Sequence, residues 1–216
     1  MKISTRLHGS SGGVGVLMIL AAVVAIWGLS AINQGRSTTG SAADIRISML
    51  EARRSEKDFF ARKDLKYVSQ VDSLIGVAMA SVAELNERSS DPRLQGIEEG
   101  LIEYLEVFDE VAQMDVEKGL TEEEGMRGQL RGAIHGVEEI ITGAQDDRLN
   151  TLMLTLRRHE KDYFLRGDPK YITRFDGGVA EFQQAIAASE HSSSDRQAMQ
   201  ANLVTYQVTF GALTEF

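Results

Sequence analysis

Hydrophobic residues are distributed along this chain in two different ways. Residues 14–32 form one uninterrupted apolar stretch of 19 residues without a charge. At a rise of about 1.5 Å per residue, a helix of that length spans the hydrocarbon core of a bilayer. From residue 37 onward, apolar positions recur at the spacing of amphipathic helices, and no long segment alternates with the period of two typical of strands. The pattern predicts a transmembrane helix followed by an all-α region.

The residues around the apolar stretch indicate its orientation. Lys2 and Arg6 precede it, and no acidic residue occurs before Arg36. By the positive-inside rule, residues 1–13 are expected in the cytoplasm and the chain after the stretch on the outer side of the membrane. A cleaved signal peptide is the alternative, but the apolar stretch is longer than the hydrophobic region of such peptides. We therefore expect an uncleaved anchor at residues 14–32.

Short breaker sequences divide the remaining chain into six predicted helices. Two breakers, Asp91-Pro92 and Asp168-Pro169, carry an N-cap residue followed by Pro at the first helical position. The third helix is about 50 residues long, and four glycines near its middle predict a bend or an interruption. The helices are predicted at residues 37–62, 65–88, 92–143, 146–166, 169–190 and from 195 onward.

The helical region repeats itself once. Residues 49–68 and 153–172 are identical at twelve of twenty positions, at an offset of 104 residues. The same offset aligns two Ser-Ser-Asp breakers, and an offset of 102 aligns Tyr104 with Tyr206. A match of this length indicates two copies of one helical module.

A hairpin followed by a long helix, repeated twice, predicts two stacked four-helix bundles that share the two long helices. The first copy has 104 residues (49–152) and the second only 64 (153–216). We therefore expect the last helix to be truncated by about forty residues. The complete protein is expected to return to the membrane through a second transmembrane helix and to continue into a cytoplasmic output region.

Composition narrows the chemistry that the chain can perform. The absence of Cys excludes disulfides, thiolate metal sites and a thiol nucleophile. The formal charge is −9, and without the three basic residues of the first 36 the remainder has 20 basic and 32 acidic residues, a net charge of −12. Such an acidic surface disfavours nucleic acid as a partner. Any anion-binding site must therefore be a local basic cluster.

The densest basic clusters lie at equivalent positions of the two copies. They are Arg53, Arg54 and Lys57 in the first copy and Arg157, Arg158 and Lys161 in the second. Spacings of three and four residues place each Arg–Lys pair on one helix face. Leu50 and Ala61 continue the line of Arg54, so we expect that face to point inward. Two inward cations would hold a small carboxylate through bidentate hydrogen bonds.

Local ion pairing on a solvated face is the alternative for these clusters. The acids within one helical turn give the pairs Arg53 with Glu56, Arg54 with Asp58, and Arg158 with Asp162. From the residues alone, both interpretations remain open.

No other residues of the sequence form a convincing site. The four histidines lack the spacing of a metal site, no phosphate-binding loop is present, and no nucleophile lies beside a base. The aromatic pairs Tyr104–Phe108 and Tyr206–Phe210 are spaced four residues apart and are expected in the core. We therefore expect no metal, no cofactor and no enzymatic activity.

The duplicated element RR-x-EK-D-(F/Y)-F-x-R-x-D resembles the helical bimodular (HBM) sensor domain of bacterial methyl-accepting chemotaxis proteins. The resemblance rests on residues 53–60, their copy at residues 157–164, and residues 119–125, and it extends over residues 37–216. It implies a periplasmic homodimer of two stacked bundles, anchored in the inner membrane, that binds small organic acids such as C4-dicarboxylates or acetate. It also implies a HAMP segment and a methylated signalling hairpin, through which the receptor would contact chemotaxis signalling proteins.

Three functional hypotheses follow from the sequence. The leading one is a transmembrane chemoreceptor whose periplasmic helical domain senses small organic acids. The second is the sensor portion of a membrane histidine kinase, because the same sensor type occurs on such kinases. The third belongs to another class and is a helical adaptor or tethering protein that binds no small molecule.

Overall fold

The computed structural model describes residues 39–215 of the chain. The predicted cytoplasmic segment, residues 1–13, and the predicted anchor, residues 14–32, lie outside the described residues. Residues 39–215 form seven helices and no strand, which confirms the all-α prediction. The helices are α1 (Thr39–Arg62), α2 (Lys66–Arg88), α3 (Pro92–Lys118), α4 (Gly125–Ala144), α5 (Asp147–Arg166), α6 (Lys170–Ala187) and α7 (Ser193–Thr214).

The third predicted helix is interrupted, which is one of the two outcomes that its four central glycines predicted. Instead of one helix over residues 92–143, the structure has α3 and α4, separated by residues 119–124. Gly119 has a φ of +104° and Gly125 a φ of +54°, a left-handed region that L side chains rarely adopt. A Cβ atom at Gly119 would lie 2.0 Å from the carbonyl oxygen of Glu124. These two glycines therefore determine where the helix is interrupted.

Two helices begin at the Asp–Pro sequences that predicted them. Asp91 accepts a hydrogen bond from the backbone N–H of Arg93 at 3.0 Å, at the start of α3. Asp168 accepts one from the N–H of Lys170, also at 3.0 Å, at the start of α6. Each carboxylate satisfies an N–H group that has no partner within the helix.

The described residues divide into two compact units, of which the first ends at Val116. In the first unit, α1 and α2 form a helical hairpin, and α3 contacts α1 through its side chains. The rings of Phe59 and Phe108 meet edge to face, with centroids 6.0 Å apart. Next to the end of α1, Nζ of Lys63 donates a hydrogen bond to Oδ2 of Asp115 at 2.5 Å. Aromatic packing and one ion pair therefore hold α3 against α1.

The second unit begins at Glu117 and contains α4, α5, α6 and α7 around a single apolar core. Phe175 lies in this core, with its ring centroid 4.2 Å from that of Phe210 and 5.2 Å from that of Tyr206. The four aromatic residues expected in the core are each at most 1% exposed: Tyr104, Phe108, Tyr206 and Phe210. That prediction is confirmed in both units.

The sequence repeat and the two units do not coincide. Helices α1, α2 and α3 of the first copy correspond to α5, α6 and α7 of the second. Helix α4 lies in the first copy of the sequence, but it packs against α7 and α5 of the second unit. The second unit therefore has one helix for which the first unit has no described equivalent.

One helix of residues 39–215, α2, is long and apolar enough to cross a membrane by length and composition alone. Six of its residues recur every three or four positions and are buried, whereas other apolar residues such as Val77 are exposed. The buried residues are Tyr67, Val71, Ile75, Ala78, Val82 and Leu85. Core packing accounts for this pattern, so the hydropathy of α2 is weak evidence for a membrane span.

Candidate functional site

The six predicted site residues lie on α1 and α5, three on each helix. Arg53 and Arg157 are half-buried, whereas Arg54, Lys57, Arg158 and Lys161 are exposed. The two copies therefore give the three equivalent cations the same degree of exposure, one set in each unit.

The predicted inward orientation of Arg54 is wrong. Leu50, which is expected on the core face, is 50% exposed, and Ala61 is exposed as well. The core face of α1 passes instead through Met49, Ala52 and Phe59, one or two positions away. Helix α1 carries apolar residues on two faces, so their spacing alone could not identify the buried one.

Each cation cluster lines a depression that is open to solvent. The first cationic depression has a volume of about 420 Å³ and is lined by Leu50, Arg53, Arg54, Lys57, Asp58 and Arg62. The second cationic depression has a volume of about 390 Å³ and is lined by Leu154, Arg157, Arg158, Lys161, Asp162 and Leu165. All residues of each depression belong to one helix, and five of the six positions match at the repeat offset of 104.

The alternative interpretation predicts ion pairs within one helical turn, and within residues 39–215 these pairs do not form: Arg53–Glu56, Arg54–Asp58 and Arg158–Asp162. Asp58 pairs with Arg62 at 3.2 Å, and Asp162 pairs with Arg166 at 3.3 Å. These acids are therefore engaged with the last turn of their helices and not with the clusters. Within residues 39–215, five cluster cations have no ion pair or hydrogen bond: Arg53, Arg54, Lys57, Arg158 and Lys161.

Arg157 is the exception among the six cations. Its Nη1 atom lies 3.2 Å from a carboxylate oxygen of Glu138, on the neighbouring helix α4. The same oxygen of Glu138 is 2.9 Å from Nδ1 of His135. The cluster on α5 therefore has one of its three cations already neutralised, whereas none of the three cations of the cluster on α1 has an ion-pair partner within residues 39–215.

A buried tyrosine–glutamate hydrogen bond lies behind each depression, and the sequence analysis missed both. Tyr104 of α3 donates to Oε2 of Glu56 at 2.5 Å, and Tyr206 of α7 donates to Glu160. Both residues of each pair are identical in the two copies, which is the signal that was available.

Burial dominates the electrostatics of these pairs. Burial, followed by the hydrogen bond to Glu56, raises the pKa of Tyr104 above its usual range. Burial also raises the pKa of Glu160, although the Tyr206 hydroxyl and the Arg157 charge act in the opposite direction. Desolvation disfavours the phenolate form of Tyr104, so its hydroxyl stays protonated and remains a donor.

Each cationic depression provides positive charge but would enclose little of a bound ligand. Arginine and lysine side chains on an exposed helix face can bind a carboxylate, with arginine providing the bidentate geometry. A site that binds a small molecule tightly usually buries about 70–90% of the surface of that molecule. The face of one helix cannot bury so much of a ligand, so a second protein surface must cover its other side.

A further cavity, of about 490 Å³, lies in the second unit and shares no lining residue with either cationic depression. Asp146 caps α5 by accepting the N–H of Leu149 at 2.9 Å, and its second oxygen is 3.3 Å from Nε2 of His191. Nothing in the spacing of Asp146 and His191 along the sequence indicates this pair. Within residues 39–215, no group of three His, Asp or Glu residues is arranged to hold a metal ion.

No family model, no curated protein and no solved structure matches this chain.

Proposed function

We propose that this chain is the sensor portion of a transmembrane chemoreceptor, and that its helical region binds small organic acids outside the cytoplasm. The observation that carries the proposal is the duplicated set of unpaired cations. Arg54 and Lys57 on α1, like Arg158 and Lys161 on α5, have no carboxylate partner among residues 39–215. Unpaired cations recurring at equivalent positions of an acidic chain favour a carboxylate ligand over a purely structural role.

The proposed architecture is two stacked four-helix bundles on a transmembrane helix at residues 14–32. The four helices around the core of the second unit support one bundle. The uncharged stretch of 19 residues and the cations before it support the anchor. The resemblance to the HBM sensor domain supports a location in the bacterial inner membrane, with residues 37–216 in the periplasm. Output would pass to chemotaxis signalling proteins through a cytoplasmic region.

A second copy of the chain is proposed to provide the surface that covers the open side of each cationic depression. On α1, a stripe of exposed residues spaced by three or four positions contains the two cations between apolar residues: Ile47, Leu50, Arg54, Lys57 and Ala61. On α5 the equivalent stripe contains Leu154, Arg158, Lys161 and Leu165. Two identical stripes that face each other bury apolar residues at their ends and bring like charges together in the middle. A carboxylate ligand would neutralise those charges, so ligand binding and homodimer formation would be coupled.

Calorimetric titration of the full chain in detergent micelles with succinate, malate, acetate and citrate tests the proposal. Arg54→Ala/Lys57→Ala and Arg158→Ala/Lys161→Ala are expected to weaken binding to their own depression about tenfold or more, because hydrogen bonds to charged groups contribute about 1.5–3 kcal/mol. Arg88→Ala and Arg131→Ala are matched controls, since each removes one exposed, ion-paired arginine from the same units. Unchanged affinity in both double variants would contradict the site assignment.

One observation favours a helical adaptor as a second candidate. Leu50, Leu154 and Leu165 are large exposed apolar residues beside the cations, which also suits an acidic protein partner. The absence of binding to all four acids would favour this candidate. The sensor portion of a histidine kinase differs from the leading proposal only in its output region.

A further inference from the structure

The duplicated tyrosine–glutamate hydrogen bond affects whether the arginines of the cationic depressions are free to bind a carboxylate ligand. Glu56 follows Arg53 by three residues, and Glu160 follows Arg157 by three residues. Residues three apart on a helix are neighbours, so each glutamate lies on the same helix face as its arginine, one turn away. An unrestrained glutamate at this position would pair with the arginine and occupy it.

The structure shows no such pair in either unit. Within residues 39–215, Arg53 forms no ion pair, and Arg157 pairs with Glu138 of the neighbouring helix instead of Glu160. The carboxylate of Glu56 is bound by the Tyr104 hydroxyl at 2.5 Å, and that of Glu160 is bound by the Tyr206 hydroxyl.

Both tyrosines are fixed by their surroundings. Tyr104 is 1% exposed and Tyr206 is completely buried. A buried hydroxyl requires a partner, and a hydrogen bond to a carboxylate is among the stronger ones available. Each glutamate is therefore held on the core side of its helix by a residue of another helix, α3 in the first unit and α7 in the second.

We infer that Tyr104 is a positioning residue of the first cationic depression: by holding Glu56, it keeps that carboxylate away from Arg53 and leaves the guanidinium for a carboxylate ligand. Tyr206 holds Glu160 in the same way in the second unit, where Arg157 pairs with Glu138 of α4. This inference rests on the proposed function, because it assigns the role of Tyr104 to the same site. It also explains why an acid next to the cluster recurs in both copies without neutralising it.

The binding test uses Tyr104→Phe in the full chain with succinate as the probe. Releasing Glu56 is expected to weaken succinate binding at the first depression about threefold to fivefold, the effect of a competing, partly exposed ion pair. Adding Glu56→Gln to Tyr104→Phe is expected to restore the wild-type affinity, because the amide does not neutralise Arg53. A purely structural role of Tyr104 predicts no rescue, and unchanged affinity in Tyr104→Phe would overturn the inference while leaving the proposed function intact.

A second measurement needs no ligand. In the Tyr104→Phe chain, Arg53→Gln is expected to lower the thermal midpoint more than it does in the wild type, and Glu56→Gln is expected to remove the difference. Equal shifts in both backgrounds would overturn the inference even if no organic acid binds. Tyr206→Phe with Glu160→Gln repeats the test in the second unit, where a smaller difference is expected because Glu138 already occupies Arg157.

Discussion

His159 marks a position at which the two copies differ in chemistry. The first copy has Ser55 at this position, and its hydroxyl lies 3.4 Å from Oε1 of Gln70. In the second copy, Nδ1 of His159 is buried and has no hydrogen-bond partner in the described part of the chain. Burial lowers the pKa of His159, the charges of Arg158 and Arg174 lower it further, and Asp162 partly opposes them. A protonated imidazole is therefore disfavoured in the folded second unit.

His159→Ser, which restores the residue of the first copy, is expected to reduce the sensitivity of folding to acid. Because the histidine pKa is lower in the folded chain than in the unfolded one, the unfolded chain binds the proton more readily. The resulting penalty is absent above the unfolded pKa of about 6.5 and grows as the pH falls through it. The free energy of unfolding should thus fall less in the variant than in the wild type between about pH 7.5 and about pH 5.5.

Urea unfolding followed by circular dichroism at both pH values measures this difference. His159→Gln serves as the control, because it keeps a polar side chain of similar length without a titrating group. Both variants are expected to share the shallower pH dependence. A loss of stability on acidification as large as that of the wild type, in either variant, would contradict the assignment.

At the scale of single residues, sequence reasoning identified the cations but not their partners. The repeat marked Arg53, Arg54 and Lys57 as one cluster, and the structure does place them together in one depression. Which acid each arginine meets depends on other helices: Tyr104 of α3 binds Glu56, and Glu138 of α4 binds Arg157. Helix spacing describes neighbours on the same helix only, so these partners could not be derived from it.

At the scale of elements, the interruption between α3 and α4 depends on glycine. Gly119 and Gly125 both have positive φ angles. The space around Gly119 is closed by backbone atoms of Glu124, which cannot move aside as a flexible side chain would. Gly132, by contrast, lies in α4 with nothing within 4 Å of a Cβ atom.

Gly119→Ala is expected to destabilise the chain by more than about 1 kcal/mol, because alanine fits neither the φ angle nor the space. Gly132→Ala is the matched control and is expected to stabilise the chain by up to about 1 kcal/mol, since alanine is the better helix former in an open position. Chemical denaturation followed by circular dichroism compares the two variants. Equal effects of both substitutions would mean that the interruption does not require glycine.

Helix boundaries were predictable to within a few residues, but the orientation of α1 was not. The breakers before α3 and α6 act through Asp side chains that bind backbone N–H groups, which is a local interaction. The buried face of α1 depends on the helices that cover it. Because Leu50 and Met49 are both apolar and adjacent, only packing decides that Met49 is buried and Leu50 is half exposed.

At the scale of the whole molecule, the exposed stripe on α1 is the surface through which a homodimer is proposed to form. Leu50→Asp is expected to shift the full chain in detergent from dimer to monomer, because it places a charge where an apolar contact is proposed. Val77→Asp is the matched control: Val77 is also 50% exposed, but it lies on α2 and not on the stripe.

Sedimentation velocity of both variants, with and without succinate, measures the effect. Retention of the dimer in Leu50→Asp, or equal loss in both variants, would contradict the proposed interface. Succinate is expected to favour the wild-type dimer, because the ligand would offset repulsion between facing arginines and lysines.

The sequence by itself determined the helical class, the internal repeat, the aromatic core residues and the identity of the basic clusters. All of these depend on local spacing or on self-similarity, which the chain carries in its order of residues. Only the tertiary structure decided which face of α1 is buried, that α4 packs with the second unit, and that Tyr104 and Tyr206 bind the glutamates. Periodicity establishes which side chains share a face, but the choice of the covered face and of cross-helix partners arises from packing between helices distant in sequence.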